Sequence, residues 1–445
     1  MTVKSKSPKL RAFIQSRVNN NLQLQKILVN TSWLFGDRIL RFGVGIIVGA
    51  WIARYLGPSQ FGQFNYAIAF VALFIPFANL GLDSIVVRNI VQDPNPNHVN
   101  EILGSAFLLK ILGGIIVVFA TVFGVILLRP GDSVMQLIVA ALAISTVFQA
   151  FDIIDLLFQS KVQSKYTVMA RMGAYLVTAL IRIVLILIKA PLITFALANF
   201  AEVLLGAFGL VVIYLQTDGV FSRWKPSLKQ AKGLLRDSWP LILSGFAIML
   251  YMKIDQIMLG SLANDKAVGI YSAAVRLSEL WYFIPMAIVT STFPAIVAAK
   301  QMGADTYETR IQKLFNLMTG LAYVIALPMT FLSSIVVVAL YGTSYAEAGP
   351  ILAVHIWAGI SVFLGVARES WMTSEGLMKY SFITTLGGAV TNIALNYVLI
   401  PIYGPMGAAI ATVVAYTVAG FAMCFVFRAT RPVAKMMAKA LIFRM

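Results

Sequence analysis

The amino-acid sequence predicts an all-α, polytopic membrane protein of twelve transmembrane helices in two six-helix lobes. Three observations predict it. Apolar runs of spanning length recur along the chain, basic residues gather on one side of those runs, and a short motif repeats about half a chain apart.

The 445 residues are 59% hydrophobic and only 12% charged, and the mean hydropathy is +0.84. Soluble chains carry about twice that charged share. A helix needs about 20 apolar residues to cross a ~30 Å hydrocarbon core, and such runs recur from Asn30 to Phe427. The net charge of +17 invites a nucleic-acid partner, but its placement, described below, argues against one. Cys424 is the single cysteine and can form no internal disulfide.

The elements follow in order. Residues 1–29 are polar and basic and lack the apolar stretch of a cleavable signal peptide. The first span is therefore expected to serve as a retained targeting signal. Leu10, Phe13, Ile14 and Val18 recur at helical spacing among Lys and Arg, which predicts an interfacial helix over 10–28. The first lobe, 30–215, holds spans at 30–54, 61–87, 101–128, 134–158, 166–188 and 191–215. A basic linker, 216–236, precedes the second lobe, 237–427, with spans at 237–260, 267–295, 314–340, 348–370, 380–400 and 405–427. Residues 428–445 form a basic tail. Backbone in lipid must satisfy its own hydrogen bonds, so the runs are helices or barrel strands. Strands would alternate in polarity over about ten residues, and these runs do not.

Basic residues set the orientation. One side receives Lys4, Lys6, Lys9, Arg11, Arg17, Lys26, Arg88, Lys161, Lys165, the linker cations, Lys300, Arg310, Lys313, Lys379 and the tail cations. The other receives Arg129, Lys189 and Lys266. This asymmetry places both termini in the cytoplasm and supports an even number of spans. The connections on the far side are short, which leaves no room there for a catalytic domain.

The third observation is the repeat. Leu56-Gly57, a short turn, Phe61-Gly62-Gln63-Phe64 and Ala67 join the first two spans. Leu259-Gly260, a short turn, Val268-Gly269-Ile270-Tyr271 and Ala274 join the seventh and eighth. Six helices separate the copies, so they share one orientation. That is a parallel repeat about an axis along the membrane normal, an arrangement transporters use to rock around a central site.

Ionisable groups in the bilayer are costly and mark functional positions. The first span holds Asp37, Arg38 and Arg41, with Asp37 and Arg41 in i,i+4 reach. Arg41 lies roughly 16 Å in from Asn30. Span seven holds Lys253 and Asp255, and span eight holds Arg276 and Glu279. Arg38, Arg41, Lys253 and Arg276 are candidate substrate-binding residues, because guanidinium and ammonium groups in a wet cavity suit phosphate oxygens. Asp37, Asp255, Glu279 and His355 are candidate coupling or gating residues, His355 because the ordinary pKa of an imidazole lies near neutrality, as a proton-coupling group needs. Each also has a plainer reading. Asp37–Arg41 and Arg276–Glu279 can be ion pairs that only hold helices together, Lys253 and Asp255 can reach water near their helix end, and a lone buried histidine can be structural. Asp152 and Asp155 share a face at the inner end of span four, and Glu202 and Arg182 can pair between spans six and five. Lys110, Arg368 and Glu369 are ambiguous.

Prolines at 76, 285, 328 and 401 interrupt spans, and Pro285 is expected to kink span eight. No Gly-Lys dipeptide occurs, which disfavours a phosphate-binding loop and an intrinsic ATP-driven pump. Two histidines and one cysteine provide no zinc spacing, so no metal or other cofactor is expected.

Arg54-Tyr55-Leu56-Gly57-Pro58-Ser59-Gln60-Phe61-Gly62 resembles the first hairpin of the polysaccharide-biosynthesis (Wzx-type O-antigen and exopolysaccharide) flippases. Asp255 to Gly260, Val268 to Ala274, and Tyr403-Gly404-Pro405-Met406-Gly407-Ala408-Ala409 carry the same resemblance. These flippases belong to the multidrug/oligosaccharidyl-lipid/polysaccharide (MOP) exporter superfamily. The resemblance covers roughly 30–427 and implies a MATE-like fold, two lobes forming a V around a central cavity. It further implies export of an undecaprenyl-pyrophosphate-linked oligosaccharide across a bacterial or archaeal cytoplasmic membrane for lipopolysaccharide or exopolysaccharide synthesis. The implied partners are the lipid-linked oligosaccharide, membrane lipids, a polysaccharide polymerase and a chain-length regulator. Lipid II flippases usually carry two further helices, so lipid II is the less expected cargo. The competing reading is a cation-coupled multidrug antiporter of the same superfamily, which would favour a cavity of carboxylates and aromatics. A membrane polymerase or ligase would need the large outer loop that this chain lacks.

Overall fold

The computed structural model describes residues 8–217 and 219–444, with side chains from Asn30 onward apart from those of 31, 34 and 35. The side chains expected to form an interfacial helix over 10–28 lie outside that description. Among the described residues every regular element is helical.

Helix α1 (Pro8–Asn79) contains the first two spans, broken at Gly57 with φ 68° and ψ 171°. That backbone state is open chiefly to glycine, and Pro58, which needs no N–H partner, restarts the helix. The chain reverses there. Before the break, the Asn30 side chain bonds Ser164 at one end of the molecule and the Tyr55 hydroxyl donates to the Ala190 carbonyl at the other. After it, Pro76 has returned to pack on Gly245. Turn residues Leu80 and Gly81, both at positive φ, lead into α2 (Leu82–Gln92).

The first half continues with α3 (Pro96–Leu128), α4 (Ser133–Phe148), α5 (Asp152–Ser160), α6 (Ser164–Leu187) and α7 (Leu192–Gln216). The second half contains α8 (Leu228–Leu262), α9 (Asp265–Glu279), α10 (Phe283–Met302), α11 (Ala304–Tyr341) and α12 (Ala348–His355). It ends with α13 (Ala358–Ser374), α14 (Met378–Tyr403), α15 (Pro405–Gly420) and α16 (Arg431–Leu441). Among the described residues eleven helical segments are long and apolar enough to span a bilayer, and the first, Gly36–Gln92, is 57 residues long. It folds back at Gly57 and so supplies two spans, in agreement with the twelve read from the sequence.

Three local departures have physical causes. Span eight breaks into α9 and α10 across a 3-10 turn, Leu280–Tyr282. The Pro285 ring forbids an α-helical bond to the Trp281 carbonyl, so the kink falls one turn before the proline. The basic linker is helical over its second part, because α8 begins at Leu228. The tail folds as α16, whose Val433, Ala434, Met437 and Ala440 recur at helical spacing and are buried.

The basic linker defines one end of the molecule, here the linker end; the short connections lie at the opposite, distal end. The two halves meet most closely at the distal end. Gly62 and Gly269, the repeat glycines, cross in direct backbone contact: a Cβ on Gly62 would overlap the Asp265 carbonyl, and one on Gly269 would overlap that of Pro58. Each glycine therefore faces the residue four before its counterpart, the signature of a local two-fold. Phe61, Tyr66, Ala67, Val268, Tyr271 and Ala274 are all buried in one core that runs through both halves.

Candidate functional site

The first span presents two functional faces. Gly49 packs against the Arg276 guanidinium, and Phe42 meets Phe283 edge-on with ring centroids 5.4 Å apart. Residues four or seven apart share a helix face, so Arg38, Phe42 and Gly49 form the row that looks toward the second half. Arg38 is exposed on that row and has no ion pair among the described residues. Arg276 is exposed as well, although its neighbours Val275 and Leu277 are buried. The Phe42–Phe283 contact lies between the two arginines along the first span.

Asp37 and Arg41 lie on the adjoining face, toward α6 and α7. Arg41 Nε donates to Asp37 Oδ1 at 2.8 Å, and Nη1 stands 4.0 Å from Glu202 Oε1. Glu202 is held by Arg182 at 2.7 Å, and Arg182 also donates to Asn199. Tyr175 is the hub: its hydroxyl donates to the Arg41 carbonyl at 2.9 Å, and the Arg41 guanidinium lies 5.1 Å from its ring centre. The charges of Glu202, Arg182, Arg276 and Arg41 all act on its phenol. Arg41, Arg182, Arg276 and Arg38 outnumber Asp37 and Glu202, so this region carries excess positive charge.

The remaining residues sort differently from the sequence expectation. Glu279 stands 4.0 Å from Lys253, so the cross-helix pair Lys253–Glu279 replaces the expected Arg276–Glu279 pair. Asp255 does not reach water at its helix end; it is 3% exposed. Its carboxylate accepts from Tyr271 and Thr412 at 2.7 Å each and from Asn396 at 2.5 Å. Asn396 also donates to Asn392 at 2.9 Å, while Asn396 Oδ1 and Asn392 Nδ2 are buried without partners. A single carboxylate is thus closed in by neutral groups from α9, α14 and α15. His355 is 1% exposed, its Nδ1 has no partner, and its ring lies edge-on to Tyr271 at 6.0 Å. Asp37 and Arg41 are brought together; Asp255 and His355 form a separate buried group joined through Tyr271.

Other intramembrane charges are paired. Arg171 binds Asp152 at 2.8 Å and Asp155 at 3.3 Å, Lys110 binds Asp83 at 2.6 Å, and Arg368 binds Glu369 at 2.7 Å. The sequence reading anticipated Arg182–Glu202. It missed Tyr175 and Arg171, for which helical spacing within one span carries no signal.

The distal end is latched across the halves. Arg129 makes an ion pair with Asp265 at 2.7 Å, donates to the Gly260 carbonyl at 2.9 Å and lies 4.3 Å from the Tyr66 ring centre. Burial works against its charge, and the hydrogen bond and charge of Asp265 more than offset that, so the Arg129 pKa stands above the ordinary arginine value. Arg54 donates to the Leu340 carbonyl at 2.8 Å, and Tyr345 donates to that of Ala53 at 2.8 Å.

Twelve spans in two similar halves, a pseudo-two-fold crossing and an excess of positive charge beside the first span define a multi-pass membrane protein of two six-helix halves. Solved structures agree. An inward-facing MATE multidrug transporter superposes with a TM-score of 0.71 at 14% identity, covering 89% of this chain and 95% of its own. The lipid II flippase MurJ in an inward closed conformation gives 0.70 at 16% identity, covering 93% and 91%. Residues 27–300 match the family described as polysaccharide biosynthesis protein, and the chain belongs to that family. Residues 240–398 also match MatE. Two relatives come from Haloferax volcanii. The probable flippase AglR is 33% identical over 178 residues, 38% of this chain and 36% of its own length. The probable low-salt glycan biosynthesis flippase Agl15 is 23% identical over 400 residues, 86% of this chain and 80% of its own.

Proposed function

We propose that the chain is a flippase that carries lipid-linked oligosaccharide, joined through pyrophosphate to undecaprenol or a related polyprenol, from the cytoplasmic to the outer leaflet. The product would feed O-antigen, exopolysaccharide or a comparable surface glycan. The linker end faces the cytoplasm in this reading, with both termini there, as the basic residues favour. One observation supports the proposal: Arg38 and Arg276 are exposed, without an ion pair among the described residues, where the first span meets the second half, and Arg41 lies on the adjoining face. Permanently charged forks in a low-dielectric surround suit an anionic diphosphate headgroup. Asp37 and Glu279 would hold Arg41 and Lys253 in place for it. Asp255 would couple transport to a proton or monovalent cation, since a buried carboxylate without a formal counter-charge gains most from one, and His355 would adjoin it through Tyr271. The central cavity, the domain boundaries and any handover to a polymerase or chain-length regulator belong to the same proposal.

The test is reconstitution with a fluorescent polyprenyl-pyrophosphate oligosaccharide, reading its protection from an impermeant quencher. The expected result is protein-dependent translocation, slowed at least about tenfold by Arg38→Ala with Arg276→Ala, the equivalent of about 1.4 kcal/mol, with unchanged thermal stability. Wild-type rates in that variant, or no translocation at all, would count against the proposal.

A second reading rests on Asp255 and on the MatE match: an antiporter for cationic drugs. Cation-dependent drug efflux by the purified protein, without glycan-lipid movement, would favour it.

A further inference from the structure

Helix α16 raises a question independent of transport. Arg431, Lys435 and Lys439 stand four residues apart in one exposed row. Lys435 and Lys439 have no ion pair among the described residues, and Arg431 bonds only the Phe425 carbonyl. Arg428 and Arg444 extend the charge at either end. No acidic residue follows Glu375 in the sequence. Of the acids nearby, Glu375 is paired with Lys300 at 2.9 Å and Glu369 with Arg368 at 2.7 Å. Asp305 and Glu308, on the first turns of α11, make no ion pair with these cations among the described residues.

That level can be located. Gln312 donates to the Met436 carbonyl, Tyr323 to that of Leu441, and the Phe443 ring packs on Gly320. At its other end α11 is fixed at the distal surface, where Leu340 accepts from Arg54. A helix crosses ~30 Å of hydrocarbon in about 20 residues, which carries α11 from Leu340 down to Gly320. Phe443 therefore marks the lipid boundary, and the cation row runs outward from it, Lys439 at the headgroups and Arg431 farthest into water. Ile442 and Phe443, 70% and 54% exposed, offer apolar side chains at the same boundary. The helix is clamped on its buried face, so its basic face is preorganised.

We propose that the exposed face of α16 binds anionic phospholipid headgroups of the surrounding leaflet, with Lys439 and Lys435 taking phosphate oxygens and Arg431 adding to the positive field. Juxtamembrane cations contribute about 1 kcal/mol each at an anionic surface, so three act with real selectivity.

The test is native mass spectrometry of the full chain released from micelles containing equal phosphatidylglycerol and phosphatidylcholine. The wild type is expected to retain phosphatidylglycerol at least about fivefold more often. The triple variant R431Q/K435Q/K439Q is expected to lose that preference, while K229Q/K232Q, which removes exposed linker cations, keeps it. Unchanged thermal unfolding checks the fold, and Lys439→Gln alone carries the test if the triple variant does not fold. Retained selectivity in the α16 variant, equal loss in the linker variant, or a preference for polyprenyl pyrophosphate over phosphatidylglycerol would each overturn the assignment.

Discussion

Lys110 and Asp83 show how unevenly a salt bridge in this protein is loaded. The lysine side chain is 2% exposed and its partner 58%. Removing the carboxylate strands a buried ammonium, whereas removing the ammonium leaves a carboxylate that water can reach. Loss of one partner of a buried pair costs about 3–5 kcal/mol, and the Asp152 charge, which also acts on Lys110, brings this case to the lower end. Asp83→Asn should therefore destabilise the protein in detergent far more than Lys110→Met, which substitutes an apolar chain of similar length. Comparable losses in thermal unfolding would contradict this. The sequence displays pairs within one helix, so Asp37–Arg41 was legible from its i,i+4 spacing. The links from Arg41 to Tyr175 and Glu202 were not legible, because they join helices whose rotation about their own axes depends on packing. Asp255 was legible as an intramembrane charge, yet its enclosure required knowing that Asn396 and Thr412 arrive from α14 and α15.

Elements were easier to read than their contacts. Hydrophobic run length gave the spans, and turn glycines gave the repeat, but the reason for the repeat emerges only in the fold. Gly62 and Gly269 recur because two helix starts cross there without room for a Cβ. Breaks within spans four and ten were invisible, since no proline lies in 149–151 or 356–357. Gly62→Ala or Gly269→Ala should force the distal ends apart. Spin labels at the exposed positions Lys189 and Glu347, one in each half, should then report a longer distance by pulsed electron resonance. Gly43→Ala, in the first span and with nothing within 4 Å of the added methyl, should leave the distance unchanged. A shift in the control equal to that in the repeat variants would remove the glycine crossing as its cause.

At the scale of the whole molecule, the proposed transport would require the distal junction to part and reform. Most of that junction is made by backbone: Arg54 and Tyr345 reach carbonyls, and the glycines let chains touch. Among the described residues, Arg129–Asp265 is the ion pair that crosses from the first half to the second there, with side chains 15% and 17% exposed. A charge-assisted contact of this kind contributes about 1.5–3 kcal/mol, and 1.4 kcal/mol shifts a two-state population about tenfold. Arg129→Gln should therefore raise the distal-open population about tenfold or more, read from the same Lys189 and Glu347 labels. The reversal Arg129→Asp with Asp265→Arg should restore part of the closure, because the attraction returns while the contacts with Tyr66 and Gly260 do not. Full restoration would show that the ring and carbonyl contribute nothing. No restoration would show that the charge pair is incidental and that the glycine crossing alone holds the halves together.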